Sequence, residues 1–268
     1  MLPAAALLTA EGVLARFDFT RPPADRWELP HELREISGLA RSPAGDLFAH
    51  GDEQAEIFQL DRTGHRIVAR FSFGAPAVNG DFEGIAVAGD RIFLVTSDGV
   101  LYAGRRGADG EHVEFVTYAT GLGRLCEIEG LAYDPSNPSL LLACKEARSR
   151  QIRHRLAIYR WSIDRRALFP RPAVLTGLAA IGRPIGERSF HPSDITIDPE
   201  TGHLLVLAAR EAAIAELTPE GEVVQVSRLR RRLHPQAEGI ALTDDGSLLV
   251  ADETAGRRST LTTYAPVR

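Results

Sequence analysis

The stretch DFEGIAVAGDRIFLVTSDGVL, residues 81–101, holds the plan of the chain: a Glu-Gly pair, a short apolar strand, a turn, a longer apolar strand and a second acidic group. The phrase returns as EISGLARSPAGDLFAHGDE (35–53), EIEGLAYDPSNPSLLLACKE (127–146), PSDITIDPETGHLLVLAARE (192–211) and AEGIALTDDGSLLVADE (237–253). Aligned on Gly38, Gly84, Gly130, Asp194 and Gly239, the copies lie 46, 46, 64 and 45 residues apart, so one carries an insertion of about 18 residues. A fixed period of this length marks a repeat architecture.

Within each copy, apolar alternation and β-branched content predict strands of 4 to 8 residues, broken by turns such as Asp134-Pro-Ser-Asn-Pro138 and Asp244-Asp-Gly246. Two more strand-like runs follow the phrase; in the second copy they are 100–102 and 112–118. Four strands per copy of about 45 residues is the arithmetic of a β-propeller blade. The chain is therefore predicted to be all-β, a single propeller domain over residues 1–268 with five four-stranded blades, six being the alternative. The extra residues of the third copy fall at 147–154 and 175–189, and the second segment is too short and too Gly/Pro-broken for another blade. The last copy is one strand short, and a propeller must cover its sheet edges. Closure by the N-terminal strand is expected, with residues 12–19 as the outer strand of the last blade.

Hydrophobic content of 44%, with 24 Gly and 16 Pro, is that of an ordered, turn-rich chain. A formal net charge of -5 argues against nucleic acid as the main partner. No apolar run reaches the roughly 18 residues of a membrane span. The apolar start MLPAAALLTAEG lacks a basic segment, so the expected location is cytoplasmic, or periplasmic or secreted if a signal has been removed. Cys126 and Cys144 are too few for a disulfide framework and are expected as reduced neighbours across a hairpin.

Blade geometry turns the repeats into a site. Neighbouring strands are antiparallel, so the start of each innermost strand and the end of each second strand share one face of the disc. The first position is held by Ser37, Glu83, Glu129, Ser193 and Glu238 at the channel mouth. The second is held by Glu53, Asp98, Glu146, Glu211 and Glu253 further out. Crowded carboxylates stay protonated or need a cation, and Ca²⁺ suits converging Glu and Asp oxygens. Glu83, Glu129 and Glu238 are the expected ligands, with Asp194 as a fourth. Glu53, Glu146, Glu211, Glu253, His191 and Arg210 are the expected ligand-binding shell. The competing reading is architectural: acidic strand ends cap backbone N–H groups or pair with Lys145 and Arg210, and the Glu-Gly pair marks a bulge or close strand packing.

Basic clusters fall in loops of the same face: Arg148, Arg150, Arg153 and Arg155; Arg183 and Arg188; Arg228, Arg230, Arg231 and Arg232. An acidic centre with an arginine rim suits an anionic small molecule, or a protein partner, whose phosphate or carboxylate takes charge-assisted hydrogen bonds. The phrases HGDEQAEIFQLDRTG, DFEGIA, LLVLAAREAAIAELTPEGEVV and QAEGIALTDDGSLLVADE resemble those of the SdiA-regulated family of bacterial β-propellers, over nearly the whole chain from Glu35. The resemblance implies a phytase-like or esterase-like propeller with calcium binding, in a family whose members are mostly of unassigned function. Two features depart from it: Ser37 and Ser193 interrupt the acidic inner position, and an export segment is not evident. There is no G-x-S-x-G nucleophile elbow and no P-loop. The alternative function is a metal-dependent hydrolase, a phosphoesterase or lactonase, using the same mouth.

Overall fold

Runs such as Ile92-Phe-Leu-Val95 are apolar at every position, and every one of these side chains is buried, because each blade packs its two faces on two neighbours. The computed structural model describes residues 12–253 and 258–267. Blade 1 comprises Ile36–Arg41, Leu47–Gly51, Glu56–Leu60 and Ile67–Phe73. Blade 2 comprises Phe82–Ala88, Arg91–Thr96, Val100–Arg105 and Phe115–Ala119. In blade 3, Cys126–Asp134, Ser139–Ala147 and Arg155–Ser162 are followed by two short outer strands, Ala167–Leu168 and Val174–Gly177, which share the edge of Arg155–Ser162. Blade 4 comprises Asp194–Ile197, Leu204–Ala208, Ala213–Leu217 and Val223–Arg228. Blade 5 comprises Ala237–Leu242, Leu248–Asp252 and Thr260–Tyr264, completed by Asp25–Glu28. The first strands of the five blades touch in a closed ring. This is a five-bladed β-propeller whose core is a set of apolar layers, one between each pair of adjacent blades.

The ring closes as expected, with an N-terminal strand, but a different one. Asp25–Glu28 pairs antiparallel with Thr260–Tyr264, whereas residues 12–19 begin with a 3₁₀ turn, Val13–Arg16. Val13, Leu14, Phe17 and Phe19 enter the layer between blades 4 and 5. The buried carboxylate of Glu216 fixes them there, accepting from the Val13 and Leu14 amides at 2.8 Å each and from His203 Nδ1 at 2.6 Å. A local apolar pattern could not separate a strand edge from such a wedge.

Two other expectations change, and the 175–189 segment, which forms no further blade, gains a helix. Residues 112–118 are not one strand: His112–Val113 pairs in parallel with the edge of blade 1, and Phe115–Ala119 then crosses to blade 2. Segment 175–189 carries a short helix, Leu178–Gly182, whose Ile181 packs with Ile185 and Phe190 on the layer between blades 3 and 4. Cys126 and Cys144 form a disulfide with Cα atoms 5.6 Å apart, buried between blades 2 and 3, not a reduced pair. The hairpin brings the two side chains to bonding distance on one face, which spacing alone left open.

Candidate functional site at the glutamate-ringed channel mouth

The Glu-Gly pair, Ser37-Gly38 in blade 1, is a β-bulge in four blades. Pairing of the first and second strands slips between Ile36 and Gly38, between Phe82 and Gly84, between Ile128 and Leu131, and between Ala237 and Gly239. A bulge leaves one residue unpaired and re-aims its side chain. The residues freed this way include Ser37, Glu83 and Glu238. Glycine follows because the inner strands crowd: a Cβ at Gly84 would lie 2.8 Å from the Leu131 amide nitrogen. Gly130, at φ +97, would place one 3.0 Å from the Asp194 backbone.

In blade 4 Asp194 stands where the other copies have glycine. Its carboxylate accepts from the amides of Ile195 (2.8 Å), Ile240 (2.9 Å) and Leu39 (3.5 Å), tying three inner strands together. Burial pushes this carboxyl well above the usual range, against those three amides. Asp194 is thus occupied by backbone and does not join the glutamates as a fourth oxygen donor.

The three glutamates do converge, and the cation among them is Lys145, from the end of the second strand of blade 3. Its Nζ donates to Glu129 Oε1, and Glu238 and Glu83 also raise its pKa, outweighing burial, which lowers it. Glu129 is buried, and Ser37 Oγ donates to Glu83 at 3.4 Å. Burial, the largest cause, pushes all three carboxyls up to about 8. Mutual repulsion adds to it: Glu129 acts on Glu83, Glu238 on Glu129, and Glu83 on Glu238. Lys145 opposes the rise at each. At neutral pH the ring therefore retains protons and surrounds an ammonium group, so it offers hydrogen-bond donors.

The outer shell is dispersed into separate pairs. Glu211 accepts from Ser189 Oγ (3.0 Å), the His191 amide (3.0 Å) and His191 Nδ1 (2.7 Å). Burial would raise the Glu211 pKa, but these bonds outweigh it and hold the carboxyl below the ordinary range. Arg210 reaches from blade 4 to Glu146 of blade 3 at 3.2 Å, and Gln236 donates to Glu253 at 2.5 Å. Glu53 is exposed on the rim. Of the arginines, Arg228 is held by Ile185 O and Glu187, Arg231 by Arg210 O, and Arg148 by Gly123 O at 2.7 Å. The architectural reading thus holds for Glu146 and Glu211, and the Lys145 pairing it named lies at the heart of the mouth. Among the described residues, no three His, Cys, Asp or Glu side chains group closely enough to hold a metal ion. The residues as placed fit a lysine-centred proton-rich cluster better than a resident Ca²⁺ site.

Lys145 had a signal that a count of acidic positions passes over: it is the only lysine in the sequence, all other cationic side chains of its kind being arginine. Lysine is a compact point charge whose state shifts with its surroundings, whereas arginine stays charged and prefers planar bidentate partners. His50 lies at the same face but is fully buried, its Nε2 against Gly38, and burial pushes its pKa down to about 4. Among the described residues, no helix is long and apolar enough to cross a membrane.

Two solved structures show the same fold at low identity. A glutaminyl cyclase from Myxococcus xanthus aligns at TM-score 0.59 and 16% identity over 92% of this chain and 97% of that one. A PQQ-bound aldose sugar dehydrogenase from Streptomyces coelicolor aligns at 0.57 and 14% identity, over 91% and 99%. A protein of unknown function from Bacteroides caccae aligns at 0.46 and 16% identity over 77% of this chain, which spans 64% of that protein's length. The family model for SdiA-regulated proteins matches residues 25–255, from the strand that closes blade 5 to the end of the last repeat. With the repeats, the ring closure and that match in agreement, the chain belongs to the SdiA-regulated family.

Proposed function

We propose that the mouth binds an anionic small molecule through Lys145 and the protonated carboxyls of Glu83 and Glu238. One observation carries this reading: the only lysine of the chain is set among three glutamates, one buried and two half-buried, whose carboxyls are pushed up to about 8. An ammonium and neutral carboxyl groups together can donate to a carboxylate or phosphate, which an ionised acidic ring would repel. The arginine loops on the same face would raise the local concentration of such a ligand. A protein partner presenting an acidic side chain is the macromolecular form of the same chemistry.

Carboxyls that keep a proton near neutral pH are also suited to general acid catalysis, which favours hydrolysis of an ester or phosphoester as the second reading. The similar folds of a cyclase and a dehydrogenase leave the choice to the site, because fold does not fix chemistry. A Ca²⁺ ion here would have to replace both the protons and the Lys145 contact. The Cys126–Cys144 disulfide supports an oxidising compartment, and so the exported alternative over the cytoplasmic one.

Thermal unfolding with citrate, inorganic phosphate or Ca²⁺, at pH 6.5 and pH 9, tests the reading on the wild type and on Lys145→Met. A ligand at 100 times its dissociation constant stabilises the folded state by about 2.7 kcal/mol. Citrate or phosphate should stabilise the wild type at the lower pH only, and Lys145→Met not at all. Stabilisation by Ca²⁺ alone, strongest at pH 9, would sink the anion reading and restore the metal one. Turnover of aryl phosphates or esters that survives chelation and fails in Glu83→Gln would establish the hydrolase.

A further inference from the structure

A second concavity lies on the opposite face, where the turns joining first and second strands gather. It is a groove of about 410 Å³ between blades 5 and 1, with Leu47 and Leu249 among its apolar lining. Polar groups close both ends. At one end Asp244 leans from blade 5 onto blade 1, pairing with Arg41 and lying 3.9 Å from Arg62, while Gly45 leaves room for its carboxylate. At the other end His65 Nε2 meets Asp25 at 2.8 Å, and Trp27, a residue still 45% exposed, stacks on His65 at 4.6 Å. Thr63, Thr243 and Thr263 add hydroxyls.

We propose that this groove binds a neutral polyhydroxylated ligand, a mono- or disaccharide. Its volume and its apolar lining with a few convergent polar groups are those of a small-molecule site. The charged groups of the groove already have partners: Arg41 and Arg62 stand against Asp244, Asp245 is held by Thr243 and Ser247, and Asp25 is hydrogen-bonded to His65, so neither an anion nor a cation meets a free partner. What remains is planar hydrogen-bonding capacity on carboxylate and guanidinium groups, matched to vicinal hydroxyls, beside an exposed indole that can cover an apolar sugar face. The N-terminal strand supplies Asp25 to the groove wall and sets Trp27 beside it on His65, and the groove is independent of the glutamate mouth.

Glucose, N-acetylglucosamine and maltose, each at up to roughly 10 mM, are titrated into the full chain by calorimetry and by tryptophan fluorescence. Trp161 is buried, so acrylamide-accessible emission reports Trp27. Saturable binding of at least one sugar is expected, with protection of Trp27 and an affinity about tenfold weaker in Arg62→Ala and in Asp244→Asn. Both side chains are mostly solvent-exposed, and circular dichroism verifies that the variants fold. Saturation by none of the three overturns the proposal. So does binding that both variants leave unchanged, or displacement of the sugar by inorganic phosphate.

Discussion

Glu83, Glu129 and Glu238 make the stability of this protein depend on pH in a direction opposite to that of most carboxylates. Their folded-state pKa of about 8 lies above the ordinary carboxylate value, so the folded chain holds more protons than the unfolded one across that window. Their contribution is complete below the unfolded pKa and is lost as pH rises through about 8. His50 sets the other limb: its pKa of about 4 is below the ordinary imidazole value, so stability falls as pH drops toward 4. Unfolding midpoints followed from pH 5 to 9 should decline as pH rises toward about 8 and level off above it. Glu83→Gln/Glu238→Gln should flatten that limb and exceed the wild type at pH 9, by up to about 1.4 kcal/mol per pH unit for each proton removed. A wild-type profile that rises toward pH 9 would contradict the proton-rich ring. Residue-scale legibility was uneven: the repeating Glu-Gly pair exposed the mouth, but Asp194 looked like a further ligand because sequence cannot show three amides arriving from separate blades.

At the scale of elements, the wedge at residues 13–19 and the blade 3 hairpin each depend on one tie. Glu216 satisfies two otherwise unpaired amides and His203 from within blade 4. Glu216→Ala would leave those buried donors without acceptors, at about 1–3 kcal/mol each for the groups that stay buried. Hydrogen exchange should then show faster exchange at Val13 and Leu14, while inner-strand amides of blades 1 and 2 keep their protection. Unchanged exchange at both amides would mean that packing of Phe17 and Phe19 alone holds the wedge. Strand and turn signals located the repeated elements well, because alternation and Asp/Gly turns are local chemistry. They failed at residues 12–19 and 112–118, where the chain passes from one sheet to another and its partner is chosen by the neighbouring blade.

For the molecule as a whole, closure of blade 5 by Asp25–Glu28 decides whether the ring is sealed. Removing residues 1–28 would expose the edge of Thr260–Tyr264, strip Val13, Leu14 and Phe17 from the layer between blades 4 and 5, and delete one wall of the groove. An uncovered edge with an opened core is an aggregation template. The truncated chain should elute as aggregate in size-exclusion chromatography and lose its cooperative melt, and a monomeric, cooperatively melting product would show that three strands suffice for the last blade.

The sequence by itself determined the number of blades, the missing strand of the last one, and the face on which acidic residues gather. Each follows from period, strand alternation and antiparallel pairing, which are properties of neighbouring residues. The tertiary structure alone decided which N-terminal segment closes the ring, that Cys126 and Cys144 bond, and that Lys145 sits among the three glutamates. The disulfide depends on how one hairpin aims its two side chains, and the closure and the glutamate ring depend on distances between blades far apart in the chain. So does the protonation of the mouth, because it is burial among inner strands, more than the identity of the residues, that raises the three carboxyls.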